Sequence, residues 1–202
     1  MSTSQGGVRL PADQRRQQLL AVARDVFSQH GFHATSMDVV AEAAGVTKPV
    51  LYQHFPSKRS LYVELLRDTG AQLLTALNTA TGRAATGRER LELALQAYFR
   101  FVVEERAAFR LLFSASIRSD PEFARVVEGV VRDAAETTAS FIEIPLGEEH
   151  RRVLGNALVG MAEAVGRRAV AGESGAAVNA ELLARWIAEF AWFGLRGIRP
   201  DA

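Results

Sequence analysis

Apolar residues recur at three- and four-residue spacing along almost the whole chain, and strand-like alternation bounded by hairpin turns is absent. That pattern predicts an all-α protein of about nine helices. The first runs from about Ala12 to His30, with Leu19, Leu20, Val22, Ala23, Val26 and Phe27 on one stripe, and Gly31 stops it. A helix from Ser57 to about Thr79 turns Leu61, Leu65, Leu66, Leu73, Leu74 and Leu77 inward, and Thr81 to Gly87 reads as a loop. Helices follow over about Arg88–Glu105 and Ala107–Ser116, and from Pro121 to about Ile144, where Pro145-Leu146-Gly147 breaks the pattern. Two long helices end the chain, Glu148 to about Ala171 and Ala177 to about Arg196.

The most specific stretch lies between the first two long helices. Residues 35–61 read TSMDVVAEAAGVTKPVLYQHFPSKRSL. Thr35 is a candidate cap, with Asp38 three residues on to close a capping box. Gly45 falls where a helix must end in a left-handed residue. Thr47 is placed to cap a second helix, in whose first turn Pro49 removes no intrahelical bond. Phe55-Pro56 ends that helix, and Ser57 caps the next. Helix, glycine turn, helix is the arrangement that sets its second helix in the DNA major groove.

The run GFHATSMDVVAEAAGVTKPVLYQHFPSK, Gly31 to Lys58, resembles the DNA-binding domain of the tetracycline-repressor-like (TetR) family. Its specificity comes from coincidence: the glycine turn, LYxHF at the end of the recognition helix and PSK at the start of the next. The resemblance implies a polar tail over 1–11, a DNA-binding domain over 12–56 and an effector-binding and dimerisation domain over 57–202. Helix four joins the last two.

Composition narrows the alternatives without deciding among them. A chain of 202 residues that is 48% hydrophobic can bury a full core. Cysteine is absent, which excludes disulfides and thiolate metal sites and suits a reducing cytoplasm. No apolar run approaches the ~20 residues of a membrane span, and the N-terminus lacks the apolar centre of a signal peptide. Net charge is only +1, but residues 1–59 carry +3 and the remainder −2. Both lysines, Lys48 and Lys58, fall inside the motif.

Candidate roles follow helix by helix. Thr47, Lys48, Pro49 and Val50 lead the recognition helix, where side chains meet base edges; a lysine donates to guanine and an apolar group touches the thymine methyl. Tyr52 and His54 match phosphate-contacting positions of the family. Thr35, Ser36 and Lys58 sit at helix starts, where free amides favour a phosphate. Met37 is apolar where some relatives are polar, which argues against base readout there.

Tyr98, Phe99, Val102, Phe109, Phe113, Phe123 and Val127, with Asn156 and Glu163, are candidates for an effector cavity; the competing reading is that these aromatics fill the core. Their character favours an apolar or aromatic ligand. Val153, Ala157, Gly160 and Ala164, with Leu183, Trp186, Ile187, Phe190 and Phe193, are the candidate interface of a homodimer, as the family resemblance implies.

Neither metal-ligand spacing among the four histidines nor a nucleophile elbow or phosphate-cradling glycine pattern is present, so no cofactor, metal or catalytic group is expected. The expectation is a homodimeric repressor that binds an inverted-repeat operator on double-stranded DNA and is released by a small molecule. The rival is a helical carrier whose N-terminal helices serve only packing.

Overall fold

The structure, a computed structural model, describes residues 11–114, 117, 119–171 and 179–199. Among these residues the regular structure is helical, in nine main helices: α1 (Ala12–Ala34), α2 (Met37–Ala43), α3 (Lys48–His54), α4 (Lys58–Thr81), α5 (Gly87–Glu104), α6 (Arg106–Leu112), α7 (Pro121–Ala139), α8 (Glu148–Ala171) and α9 (Ala180–Arg196). The polar tail expected over 1–11 lies outside the described residues except for Pro11, and so does Ala177, the expected start of the last helix. No helix of the described residues is long and apolar enough to cross a membrane.

The chain divides into two compact units, Met1–Leu65 and Leu66–Ala202, with the division inside α4. The first unit wraps α1 to α3 and the start of α4 around Leu19, Ala23, Phe27, Val40, Leu51 and Leu61, all essentially inaccessible to solvent. Tyr62 closes this core from α4, its ring edge-on to Phe27 at 5.0 Å between centroids. Gly31 interrupts α1 with φ +76°, as its position predicted.

In the second unit α5 packs against α9 and α8, and α7 packs against α8. The α7–α8 contact needs Gly155, because a Cβ there would stand 2.5 Å from the Ala135 carbonyl oxygen. Gly155 therefore serves packing within the chain.

Helix α7 stops at Ala139, short of the expected Ile144. The cause is local. Thr137, Thr138 and Ser140 each turn a hydroxyl back onto a preceding carbonyl, which offers the backbone an alternative to continued helix. Phe141 and Ile142 are then buried in the connection to α8.

Candidate nucleic-acid interface and effector cavity

The turn between α2 and α3 is built as the sequence requires. Val46 N–H donates to the Ala41 carbonyl and Gly45 N–H to that of Glu42, both at 3.0 Å, with Gly45 at φ +63°. This paired closure satisfies the last carbonyls of α2 and demands a left-handed residue. The N-terminal side differs from expectation by one residue. Ser36, not Thr35, caps α2: its hydroxyl accepts from Val39 N–H at 3.3 Å. Thr35 is buried and donates its hydroxyl to the Gly31 carbonyl at 2.8 Å. It thus closes the end of α1 and is not a surface available to DNA.

The shift also reassigns Asp38, which no longer sits at the capping-box position. Its Oδ2 accepts from Lys48 Nζ at 2.9 Å, across the turn and on the surface. That hydrogen bond, and then the carboxylate's charge, raise the Lys48 pKa above its ordinary value, so the ammonium is fully charged near neutrality.

On α3, Lys48, Pro49 and Tyr52 are exposed, as is the preceding Thr47, while Val50 and His54 are half-buried and Leu51 is fully buried. Thr47 leads the helix without making a side-chain cap bond. Val39 of α2 and Gln53 of α3 are also exposed, although the sequence pattern sets Val39 on the apolar side of α2 with Met37, Val40 and Ala41. Ser36 is exposed beside the free amides of α2.

Ser57 caps α4 as expected, accepting from Ser60 N–H at 3.0 Å. Lys58 does something else. Its ammonium donates to the carbonyls of Phe32 and Thr35 at 2.9 Å each and of His33 at 3.4 Å, and stands 4.5 Å from the centre of the Phe32 ring. It locks the carbonyl-bearing end of α1, where a cation is favoured, instead of projecting as a free phosphate ligand. Arg16 plays a similar part, donating to the His54 carbonyl at 2.7 Å, pairing with Glu64 and covering the Phe55 ring. His54 is thereby tied through its backbone to α1.

The second unit contains a narrow apolar hollow between α4, α5, α7 and α8. Of the expected residues, Tyr98, Phe113, Val127 and Glu163 line it. Phe99, Val102, Phe109 and Phe123 do not: each is essentially inaccessible and packs in the core. Phe109 stands behind the wall, 4.6 Å from the Phe113 ring centre and 6.2 Å from that of Tyr98. Asn156 lines a neighbouring polar cleft and donates to the Arg152 carbonyl of its own helix. The remaining wall comes from leucines and valines, among them Leu73 and Leu77, which the sequence pattern turns inward, and Val130 and Leu158.

Tyr98 is the polar anomaly of this hollow. Its hydroxyl is buried with no hydrogen-bond partner. Burial, and then the nearby Glu163 carboxylate, push its pKa well above the ordinary tyrosine value, with Arg167 opposing. The hydroxyl stays protonated and remains a donor. Glu163 is itself engaged by Arg167 one turn further along α8.

The expected interface residues are largely solvent-facing on this single chain. Val153 is 55% exposed, Trp186 53%, Phe190 70% and Phe193 68%. The last three lie on one face of α9 by helical spacing. Ala157, Gly160 and Ala164 are exposed on α8, while Leu183 and Ile187 are half-buried. A Cβ on Gly160 would meet nothing within 4 Å.

Comparison with known proteins bears on both units. Residues 19–65 match the model of bacterial regulatory proteins of the tetR family, and residues 88–194 that of the tetracyclin repressor-like C-terminal domain. The chain is 37% identical over 146 residues to the HTH-type transcriptional activator FasR of Mycolicibacterium smegmatis, covering 72% of this chain and 67% of that protein. It is 47% identical to the HTH-type transcriptional regulator RutR of Escherichia coli over 53 residues, which is 26% of this chain and 25% of RutR. A TetR-like transcriptional regulator from Rhodococcus sp. RHA1 superposes with a TM-score of 0.79 at 34% identity, over 94% of this chain and all of that one.

Proposed function

Since the chain belongs to the TetR family of DNA-binding transcriptional regulators, we propose that it acts as a homodimer on an inverted-repeat operator and that a small apolar molecule in its second unit controls that binding. The observation that carries the DNA-reading part is the presentation of α3: Thr47, Lys48, Pro49 and Tyr52 are exposed while Leu51 and Phe55 anchor the helix from beneath. Two such helices related by a two-fold axis enter successive major grooves roughly 34–36 Å apart. The exposed Trp186, Phe190 and Phe193 supply the partner-facing surface.

Effector occupancy changes DNA binding only to the extent that the ligand prefers one conformer over the other, and DNA must weaken the effector by the same factor. In the simplest arrangement the bound dimer covers promoter DNA and represses. The M. smegmatis relative is named an activator, so a promoter reporter with and without the protein is needed to read the sign.

A gel-shift titration against the DNA upstream of its own gene, at several salt concentrations, tests the reading. The expected result is a sequence-selective shift, weakened by salt. A protein that binds small apolar molecules but shifts no duplex selectively would be a carrier.

A further inference from the structure

The leading end of α3 carries an ion pair that the fold does not need. Lys48 Nζ donates to Asp38 Oδ2 at 2.9 Å, and the two side chains are 48% and 65% exposed. A pair so open to solvent adds little to stability. The dipole of α2 favours an acid in its first turn, but nothing in that preference aims the carboxylate across the turn at Lys48. Lys48 itself stands among the exposed Thr47, Pro49 and Tyr52.

We propose that Lys48 and Asp38 together read a single G·C pair in the major groove, Lys48 donating to the guanine and Asp38 accepting the free N4 hydrogen of the paired cytosine. Asp38 is thereby a specificity-determining residue, a role beyond the contacts given to α3 above. The inference deepens the DNA-reading part of the proposed function and rests on α3 entering the major groove.

The match is one of spacing. In a G·C pair the bond nearest the major groove runs from cytosine N4 to guanine O6, and N–H···O bonds measure about 2.9–3.0 Å between heavy atoms. Lys48 and Asp38 hold a donor and an acceptor 2.9 Å apart. Laid over the base pair, the couple sets donor against acceptor at both ends. The ammonium has three hydrogens, so guanine O6 and N7 compete for those that the carboxylate does not hold. Cytosine N4 has one hydrogen in the pairing bond and a second one free in the groove.

Charge explains why an acid is tolerated there. A lone carboxylate among phosphates weakens binding to every sequence. Lys48 cancels that charge, and the groove floor offers a carboxylate only two donors, cytosine N4 and adenine N6.

Orientation follows. T·A with thymine at Lys48 keeps donor and acceptor in order, but it sets the thymine methyl beside the ammonium and the adenine N7 acceptor beside the carboxylate. A·T and C·G put a donor against Lys48 and an acceptor against Asp38. G·C with guanine at Lys48 is the one pair without a conflict. Val39 and Pro49, exposed and next in sequence to the couple, add apolar surface and no competing side-chain donor.

The full chain first selects its duplex from a randomised library, and binding to that duplex is then titrated with altered bases in one half-site. N4-methylcytosine still pairs with guanine but carries a methyl in place of the free amino hydrogen; 7-deazaguanine lacks N7. Relative to the unmodified duplex, N4-methylcytosine at one position should weaken wild type about fivefold to tenfold, the worth of one hydrogen bond to a charged group. The same substitution should change binding by Asp38→Ala less than about twofold. Replacing the guanine of that pair by 7-deazaguanine should weaken wild type and Asp38→Ala alike and leave Lys48→Ala within about twofold. An ion pair that only steadied the turn would make no variant blind to a particular base atom.

Equal sensitivity of wild type and Asp38→Ala to methylation at every cytosine, or indifference of wild type to 7-deazaguanine in that pair, overturns the readout and leaves the operator reading intact. Enrichment of no sequence from the library overturns both.

Discussion

Lys48 Nζ lies 2.9 Å from Asp38 Oδ2, so the first residue of α3 is neutralised on the surface by the helix before it. A phosphate or a guanine edge must compete with that carboxylate. Asp38→Ala should therefore raise affinity for every duplex and steepen the salt dependence by about one counterion, while lowering the ratio of operator to random binding. Lys48→Ala should do the reverse on affinity, with losses that depend on the operator. The two slopes from salt-titrated gel shifts check this, and an unchanged slope in Asp38→Ala would show that the pair plays no part on DNA.

The Lys58 contacts separate structure from recognition. A phosphate ligand would cost nothing in stability when removed. A residue that closes three carbonyls at the end of α1 does cost something. Lys58→Met should lower unfolding stability by about 1 kcal/mol, measured by urea titration in the absence of DNA.

These two lysines show where sequence reading runs out. The Gly45 turn, the Pro49 position and the Ser57 cap were legible because each rests on backbone geometry that few residues satisfy. Side-chain partners were not. Whether Thr35 or Ser36 capped α2 turned on a single residue of register, and Asp38 found its partner across a turn, ten residues away. The hollow was the hardest to see, because Leu73 and Leu77 read as inward-facing in sequence whether the space before them is filled or empty.

Gly45 provides a clean conformational test. A Cβ there would meet no atom within 4 Å, so substitution costs only the left-handed backbone. Gly45→Ala should destabilise by about 1–2 kcal/mol, and Gly45→Asn by less, since asparagine visits that region more readily. Thermal unfolding of the two variants should rank them in that order.

Gly166 is the opposite case, limited by space. A Cβ would stand 2.9 Å from both the Tyr98 hydroxyl oxygen and Phe109 Cζ. Gly166→Ala should cost about 1–3 kcal/mol through overpacking. Adding Tyr98→Phe should recover part of that loss, because one of the two obstructing atoms disappears. A double-mutant cycle on urea-unfolding free energies measures the coupling, and strict additivity would mean the contact is relieved some other way.

The alkaline limb follows from Tyr98. Its folded pKa is raised, so the unfolded chain releases this proton first. The contribution is intact below the ordinary tyrosine value of about 10 and is lost as pH rises above it. Wild-type stability should thus fall more steeply than that of Tyr98→Phe as pH climbs from about 9 to 11, by denaturant titration at each pH. Parallel slopes would mean that Tyr98 ionises alike in both states.

The proposed two-fold contact runs through α9. Phe190 and Phe193 are each about two-thirds exposed on the lone chain, with Trp186 on the same face. Large aromatics so placed favour association, and the buried centre of an interface tolerates an unpaired charge poorly. Phe190→Glu should shift the sedimentation coefficient to that of the monomer at concentrations where wild type is dimeric. Its melting temperature at high dilution should be little changed, since Phe190 contributes little to the core of its own chain. An inverted repeat read by two weakly held heads loses the gain of simultaneous engagement, so operator affinity should fall by about a hundredfold or more while single half-site binding persists. A Phe190→Glu protein that sediments with wild type would place the two-fold contact elsewhere on the second unit.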